Sequence, residues 1–234
     1  MRIGIYRGDL LFGPIDALVD AAQQAVHDGF ASMWLAQAHG IDAMTAIAVV
    51  GREVPGIELA TAVVPTYPRH PIVMAQQALT AQAISGGRFV LGIGLSHAPI
   101  IESSYGYSFE HPARHMREYL EALLPLVRDG SVDFQGETLT ARAALDVRGA
   151  SPVRVVLAAM GPRMLDLAGG TADGKIPACG HHDQHAIHER TGKQDCQSRC
   201  KDYHNAGLFS MLEPSAVSPE RPLVKRNLPP LSAI

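Results

Sequence analysis

Short apolar runs alternate with longer segments of helical periodicity along the first 174 residues of this chain. Runs rich in apolar and β-branched residues predict strands over residues 2–6, 32–36, 57–64, 89–93 and 152–157. Helices are predicted between them, over residues 16–30, 42–54, 70–84 and 112–128 and from residue 161 onward. Because strands separated by helices form parallel βαβ units, this pattern predicts an α/β fold, either an open doubly wound sheet or a (β/α)8 barrel. A barrel usually takes about 250 residues, so a barrel built from this segment would lack its last two units.

Two connecting segments carry their own predictions. Residues 133–141 alternate between polar and apolar positions, which is typical of a β-hairpin. The segment after the fourth strand, through Gly106, is predicted to be a loop, and Pro99 argues against a helix directly after that strand.

The composition changes abruptly at Gly174. Residues 1–174 contain no Lys, Asn or Cys, whereas the last 60 residues hold four Lys, both Asn and all three Cys. The apolar periodicity also stops there. We therefore expect one domain over residues 1–174 and a compositionally foreign tail, irregular or disordered, over residues 175–234. A cloning artefact or a reading-frame shift, giving an inactive truncated product, explains the change most simply; a genuine second domain or disordered tail is the alternative.

The overall composition is that of a globular protein, with 47% hydrophobic and 18% charged residues. A formal net charge of −3 argues against a protein that binds nucleic acid or a membrane surface. No apolar run approaches the roughly 18 residues that span a bilayer, and the N-terminus shows no signal-peptide pattern. A cytoplasmic location is therefore expected.

Polar side chains gather where three of the predicted strands end, namely Gln37, His39, Thr66, Tyr67, Ser96 and His97. In parallel α/β folds this edge of the sheet hosts the active site. Residues 157–162, with the sequence LAAMGP, form a second candidate site. Small residues let the backbone approach a ligand, and a proline in the first helical turn leaves the other N–H groups free to bind phosphate. The same residues could also form a simple tight turn.

Residues 92–98 contain two partial motifs. The sequence GIGLSH resembles a dinucleotide-binding GxGxxG motif, but His97 replaces the last glycine. The overlapping sequence GLSHA resembles a nucleophile elbow, so a serine hydrolase that uses Ser96 is an alternative function. An elbow requires a helix directly after the serine, and the predicted loop argues against one.

The tail contains a possible metal site. Cys196, Cys200 and His204 are spaced so that a helix would place them on one face. The C-x2-C pairing that is usual in structural zinc sites is missing. A zinc-binding tail module is therefore a further alternative.

Four runs resemble the luciferase-like monooxygenase superfamily, and most closely its coenzyme F420-dependent oxidoreductases: SMWLAQAHGIDAMTAIAV, ELATAVVPTYPRHPIVMAQQALTAQAISGGRFVLGIGLSH, HPARHMREYLEALLPL and VVLAAMGPRMLDLAGGTADG. The resemblance covers residues 1–174 in the family's order and spacing. It implies a (β/α)8 TIM barrel, here incomplete at its C-terminus, that holds a deazaflavin or flavin at the carboxyl ends of its strands. The implied reaction is hydride transfer between coenzyme F420 and a small organic substrate, and an FMN-dependent monooxygenase is the alternative within the superfamily.

The resemblance also implies roles for individual residues. A strand bulge with a cis peptide at Ala62–Val63 would lie behind the cofactor ring, and His97 or His39 would transfer the proton. His97 stands where some relatives have a catalytic Glu, and Gln37 where relatives often have Asp or His. Relatives often pair through barrel helices, so a homodimer is possible in this reading, and no metal is expected. The implied cofactor contacts are Gln37, Ala62, Val63, Thr66, His97, Ala158, Ala159, Gly161 and Pro162.

Overall fold

A computed structural model describes residues 3–177 of the chain, which form a parallel sheet with helices between its strands. The sheet contains β1 (Gly4–Tyr6), β2 (Ser32–Leu35), β3 (Glu58–Thr61), β4 (Val64–Pro65), β5 (Phe89–Gly94), β8 (Arg154–Ala159) and β9 (Gly174–Pro177). A separate antiparallel hairpin is formed by β6 (Ser131–Gln135) and β7 (Thr140–Ala144). The helices are α1 (Ile15–His27), α2 (Ala43–Glu53), α3 (Pro71–Ile84), α4 (Ala98–Tyr105), α5 (Pro112–Asp129) and α6 (Pro162–Gly170), and a 3-10 turn covers Gly8–Phe12.

The strands of the sheet are adjacent in chain order. The order is β1-β2-β3-β5-β8-β9, all parallel, and β4 also pairs with β5. A doubly wound sheet reverses its strand order at a switch point, whereas this order never reverses. The described residues therefore supply six consecutive strand positions of a (β/α)8-type sheet, and the doubly wound alternative is wrong.

The two faces of the sheet pack differently because strand side chains alternate between them. The face that carries Met33, Leu59, Leu91 and Val155 packs with the helices in the large core. The opposite face carries a smaller cluster of three buried residues, Trp34, Ala60 and Val90, with Tyr6, Ala62, Val156 and Ile176 partly buried around it. This second face is the interior side of a barrel-type sheet.

Local signals in the sequence set several helix boundaries as predicted. The Asp42 carboxylate accepts a hydrogen bond of 2.9 Å from Thr45 N and caps α2. His70 caps α3, where Pro71 occupies the first turn, and α3 ends at Ile84 before Gly86 and Gly87. The predicted hairpin is also present. No helix in the described part of the chain is long and apolar enough to cross a membrane.

The predicted loop after β5 is wrong, because α4 begins at Ala98 directly after the strand. Pro99 lies in the first turn of α4, where a backbone N–H would have no intrahelical acceptor, so a proline there costs no hydrogen bond. The helix ends at Gly106, which takes a left-handed conformation with φ of 72°.

The strand β9 crosses the position at which the composition changes. Gly174 pairs with Val156, and Ile176 pairs with Ala158, in parallel register. The sheet therefore continues three residues beyond Gly174. The predicted division into a domain over residues 1–174 and a tail stays a prediction, because residues 178–234 lie outside the described part.

Candidate functional site

A bulge separates β3 from β4 at the carboxyl edge of the sheet. Ala60 pairs with Val90, and Val64 pairs with Ile93. The chain therefore advances four residues from β3 to β4 while the paired strand β5 advances three, which is the extra residue of a bulge. The peptide bond between Ala62 and Val63, inside this bulge, is cis. The predicted bulge and cis bond are confirmed at the predicted position, and the single predicted strand over residues 57–64 is divided there.

Thr61 and Gly92 join β3 to β5 just before the bulge. The Thr61 hydroxyl donates to Gly92 O and accepts from Gly92 N, both at 2.8 Å. A Cβ atom on Gly92 would overlap the Thr61 carbonyl oxygen, so only glycine permits this approach. This pair was not predicted, because a threonine at the end of a strand has the same sequence signature whether or not a partner strand lies this close.

Val63 and Ala158, two of the predicted cofactor contacts, meet at Gly94 beyond the bulge. A Cβ atom on Gly94 would lie 2.6 Å from Val63 Cγ2 and 3.3 Å from Ala158 Cβ. Val63 and Ala158, which are 95 positions apart in the sequence, therefore both pack over the bare backbone of Gly94. We call Val63, Gly94 and Ala158 the apolar floor. It offers a surface of small apolar groups at the carboxyl ends of three neighbouring strands.

Of the two predicted site residues after β2, Gln37 is hydrogen-bonded within its loop and His39 is exposed. The Gln37 amide accepts a hydrogen bond of 2.7 Å from Ala43 N at the start of α2 and donates to Ala38 O at 3.3 Å. Its polar groups are therefore engaged with its own loop. His39 is exposed, and within residues 3–177 its side chain makes no hydrogen bond.

Ser96 and His97 occupy a sharp turn between β5 and α4. Ser96 has a positive φ of 64°, and His97 is the residue before the helix begins. The strand–turn–helix geometry of a nucleophile elbow is thus present, contrary to the predicted loop. Within the described residues, however, no hydrogen bond joins the Ser96 hydroxyl to a histidine, so the base that a serine nucleophile needs is not in place. The side chain of His97 is exposed.

The turn after β8 leaves the beginning of α6 accessible. Gly161 takes a φ of 77° and precedes the helix, Pro162 lies in its first turn, and residues 160–163 are all exposed. The two predicted alanines point to opposite faces of β8. Ala158 lies on the interior side with the apolar floor, whereas Ala159 is buried in the helix-facing core. This end of α6 has free N–H groups of the kind that bind phosphate.

A cluster of aromatic and polar side chains forms where the segment that follows β4 packs against α5. Thr66 N donates to Gly94 O at 2.9 Å, and the Thr66 hydroxyl lies 3.0 Å from His115 Nε2. The His115 ring stacks on Tyr67 with centroids 4.0 Å apart and planes within 7°. Phe109 stacks on Tyr67 at 5.3 Å. Burial lowers the pKa of His115 to about 4, with a smaller opposing effect of Glu118, so the ring is neutral near pH 7.

Thr66 and Tyr67 were predicted to lie at the site, whereas His115 was not. The signal was present, because His115 lies immediately before Met116 and four residues before Tyr119, on the buried side of α5. A histidine among buried apolar residues of a helix is expected to have a specific hydrogen-bond partner, because buried polar groups are nearly always paired.

No group of three or more metal-ligating side chains occurs among residues 3–177. The tail residues Cys196, Cys200 and His204 lie outside the described part of the chain.

Comparison with known proteins places these observations in a family. The model of the luciferase-like monooxygenase family matches residues 5–191, so the likeness extends past Gly174, where it was predicted to stop. A Mycobacterium tuberculosis protein, provisionally assigned as a coenzyme F420-dependent oxidoreductase, is 33% identical in an alignment of 174 positions that covers 68% of this chain and 49% of that protein. The chain thus spans about half the length of the curated relatives it matches.

Solved structures show the same fold. The coenzyme F420-dependent tetrahydromethanopterin reductase of Methanopyrus kandleri superposes with a TM-score of 0.64 at 23% identity, over 74% of this chain and 55% of that one. The oxygenating component of 3,6-diketocamphane monooxygenase from Pseudomonas putida, in complex with FMN, gives a TM-score of 0.56 at 19% identity, over 68% and 51% of the two chains.

Proposed function

Because this chain belongs to the luciferase-like monooxygenase family, we propose that it forms part of a coenzyme F420-dependent oxidoreductase. The proposed reaction is hydride transfer between F420 and a small organic substrate. An FMN-dependent monooxygenase is the second candidate, because the family includes a structural neighbour that is solved in complex with FMN.

The apolar floor is the observation that carries this proposal. One face of a flat tricyclic ring needs an apolar surface to pack against, and the partly exposed side chains of Val63 and Ala158, which cover the buried backbone of Gly94, supply one. The floor lies at the carboxyl ends of β3/β4, β5 and β8, the edge at which barrel folds of this kind bind ligands. The residues present therefore fit a deazaflavin or flavin ring.

The beginning of α6 fits the anionic part of the same cofactor. The exposed backbone at Gly161 and Pro162 follows Ala158 by only a few residues, so the N–H groups of α6 lie close to the apolar floor along the chain. A phosphate there would be stabilised by hydrogen bonds to these N–H groups and by the helix dipole. Ala62, Thr66 and Gln37 are proposed to line the rest of the cofactor site. The Gln37 side-chain amide is bonded to its own loop, so the proposed contact is made by the loop that carries Gln37.

The chain's own contribution to the reaction is to orient the two reactants and to move a proton. When bound, the cofactor supplies or accepts the hydride. His97 after β5, or His39 after β2, is proposed to hold the proton, since imidazole exchanges protons readily near neutral pH. Both side chains are exposed at the edge of the sheet and carry no competing hydrogen bond within residues 3–177.

Fluorescence titration of the 234-residue protein with F420 and, separately, with FMN tests the proposal. We expect saturable binding of F420 that is tighter than binding of FMN, whereas tighter FMN binding would favour the monooxygenase. In the Gly94→Ala variant the new Cβ atom would lie 2.6 Å from Val63 Cγ2, so Val63 must move and the shape of the apolar floor must change, and we expect F420 binding to weaken about tenfold. Gly169→Ala is the matched control, because a Cβ atom there meets no atom within 4 Å. If the folded wild-type protein binds neither cofactor, the proposed function is wrong.

A further inference from the structure

The Tyr67 hydroxyl is a buried polar group that has no hydrogen-bond partner within residues 3–177. Buried side-chain donors in proteins are almost always paired with protein or water, because an unpaired donor loses its hydration without compensation. Because no partner lies within residues 3–177, a bound ligand is one source of the missing acceptor.

Its neighbours hold the Tyr67 ring in place. One neighbour is the His115 ring, stacked at 4.0 Å, and another is Phe109, at 5.3 Å. His115 is itself held by the Thr66 hydroxyl, and Thr66 N is bonded to Gly94 O at the end of β5. The Tyr67 ring is thus packed against two other rings, which fix the position of its hydroxyl oxygen.

The position of Tyr67 connects this hydroxyl to the proposed cofactor site. Tyr67 lies four residues after Val63 of the apolar floor, and its neighbour Thr66 is bonded to the backbone of Gly94, another residue of that floor. Burial also raises the pKa of Tyr67, so the hydroxyl remains a neutral donor at physiological pH. The groups stacked on Tyr67 are a neutral imidazole and a phenyl ring.

We propose that Tyr67 is a binding residue that donates a hydrogen bond to an oxygen acceptor of the cofactor at the carboxyl edge of the sheet. This inference rests on the proposed function, because the acceptor belongs to F420 or FMN. Such a donor would favour a carbonyl or phosphoryl oxygen and would disfavour a group that is itself only a donor. The ring is already stacked on His115 and Phe109, and cofactor binding has to uncover only the buried oxygen.

Three tyrosine-to-phenylalanine variants separate this role from a structural one. Tyr67→Phe removes the unpaired hydroxyl, and Tyr119→Phe removes a buried hydroxyl that donates to Arg69 O at 2.8 Å. Tyr107→Phe removes a hydroxyl from a side chain that is 48% exposed. All three changes delete one hydroxyl oxygen. Differences between the variants in stability and in cofactor affinity therefore show whether that oxygen has a hydrogen-bond partner in the free protein and in the bound protein.

Thermal unfolding of the free proteins and fluorescence titration with F420 and FMN give the two measurements. We expect Tyr67→Phe to unfold at the wild-type temperature or slightly above it, and Tyr119→Phe to unfold several degrees lower. We expect Tyr67→Phe to raise the Kd of the preferred cofactor about three- to tenfold, and Tyr107→Phe to leave both quantities unchanged.

Either of two results overturns the inference. Destabilisation of free Tyr67→Phe to the extent of Tyr119→Phe would mean that the hydroxyl already has a partner, such as a buried water. Unchanged cofactor affinity in Tyr67→Phe, when the wild-type protein binds, would mean that no cofactor oxygen accepts from it. Failure of the wild-type protein to bind either cofactor would instead refute the proposed function, and the two failures are therefore distinguishable.

Discussion

Glu118 connects α5 to the turn of the β6–β7 hairpin, and its loss should measurably destabilise the protein. The side chain is only 7% exposed. Its carboxylate accepts from Glu137 N at 3.1 Å, from Thr138 N at 2.9 Å and from the Thr138 hydroxyl at 2.6 Å. Burial alone would raise the pKa of Glu118, but the combined hydrogen bonds from residues 137–139 outweigh it, so the pKa lies below its usual value.

The magnitude follows from these contacts. The Glu118→Gln variant keeps the shape of the side chain but removes the charge and turns one acceptor oxygen into an NH2 donor that faces other donors. Hydrogen bonds to charged groups contribute about 1.5–3 kcal/mol each and neutral ones about 1 kcal/mol, and an unpaired buried donor costs about 1–3 kcal/mol. We therefore expect the free energy of unfolding to fall by about 2–3 kcal/mol.

Urea unfolding at pH 7, followed by far-UV circular dichroism, measures this difference on the whole chain. Glu121→Gln is the control, since Glu121 lies on the same helix but is exposed, and it should change stability by less than about 0.5 kcal/mol. Because the pKa is lower in the folded state, the contribution of Glu118 is present above the unfolded pKa and is lost as the pH falls through the folded pKa. Equal stability of the two variants at pH 7 would refute this account.

Three further outcomes follow from the described contacts. Asp42→Ala should lower the free energy of unfolding by about 1–2 kcal/mol in urea unfolding, because it removes the α2 cap and a partly buried ion pair. Arg88→Met should cost about 3 kcal/mol in the same assay, because Arg88 donates to three backbone carbonyls, with distances of 2.7–3.0 Å, around the end of α2. His115 should make the protein less stable in acid: its folded pKa is lowered to about 4, so its contribution is full above the unfolded pKa of about 6.5 and is lost as the pH falls toward 4. After discounting for solvent screening, the loss between pH 7.5 and pH 5 is about 1 kcal/mol, and a His115→Phe variant whose stability changes just as much over this range would contradict it.

Residues that act within a few positions of one another could be predicted from the sequence. Asp42 before an apolar helix, and Pro71 in the first turn of α3, are local signals whose physical effect needs no distant partner. Pro99 shows the limit of such signals, because a proline is compatible both with a loop and with the first turn of a helix. In the folded protein, Pro99 lies in the first turn of α4.

The candidate site divides in the same way. The resemblance located the bulge at Ala62–Val63, because the family pattern lies in one continuous run of sequence. It could not reveal that Tyr67 stacks on His115, or that its hydroxyl lacks a partner among the described residues, since these depend on where α5 packs against the edge of the sheet.

By itself, the sequence determined the alternation of strands and helices, the helix caps and the family. These properties follow from hydrophobic period and from side chains that bond to neighbouring backbone. Only the tertiary structure decided which distant residues meet: Val63 with Ala158 over Gly94, Thr61 with Gly92, and Glu118 with the hairpin turn. The physical reason is that hydrophobic periodicity specifies which face of an element is buried, whereas the partner on that face is chosen by strand order and packing.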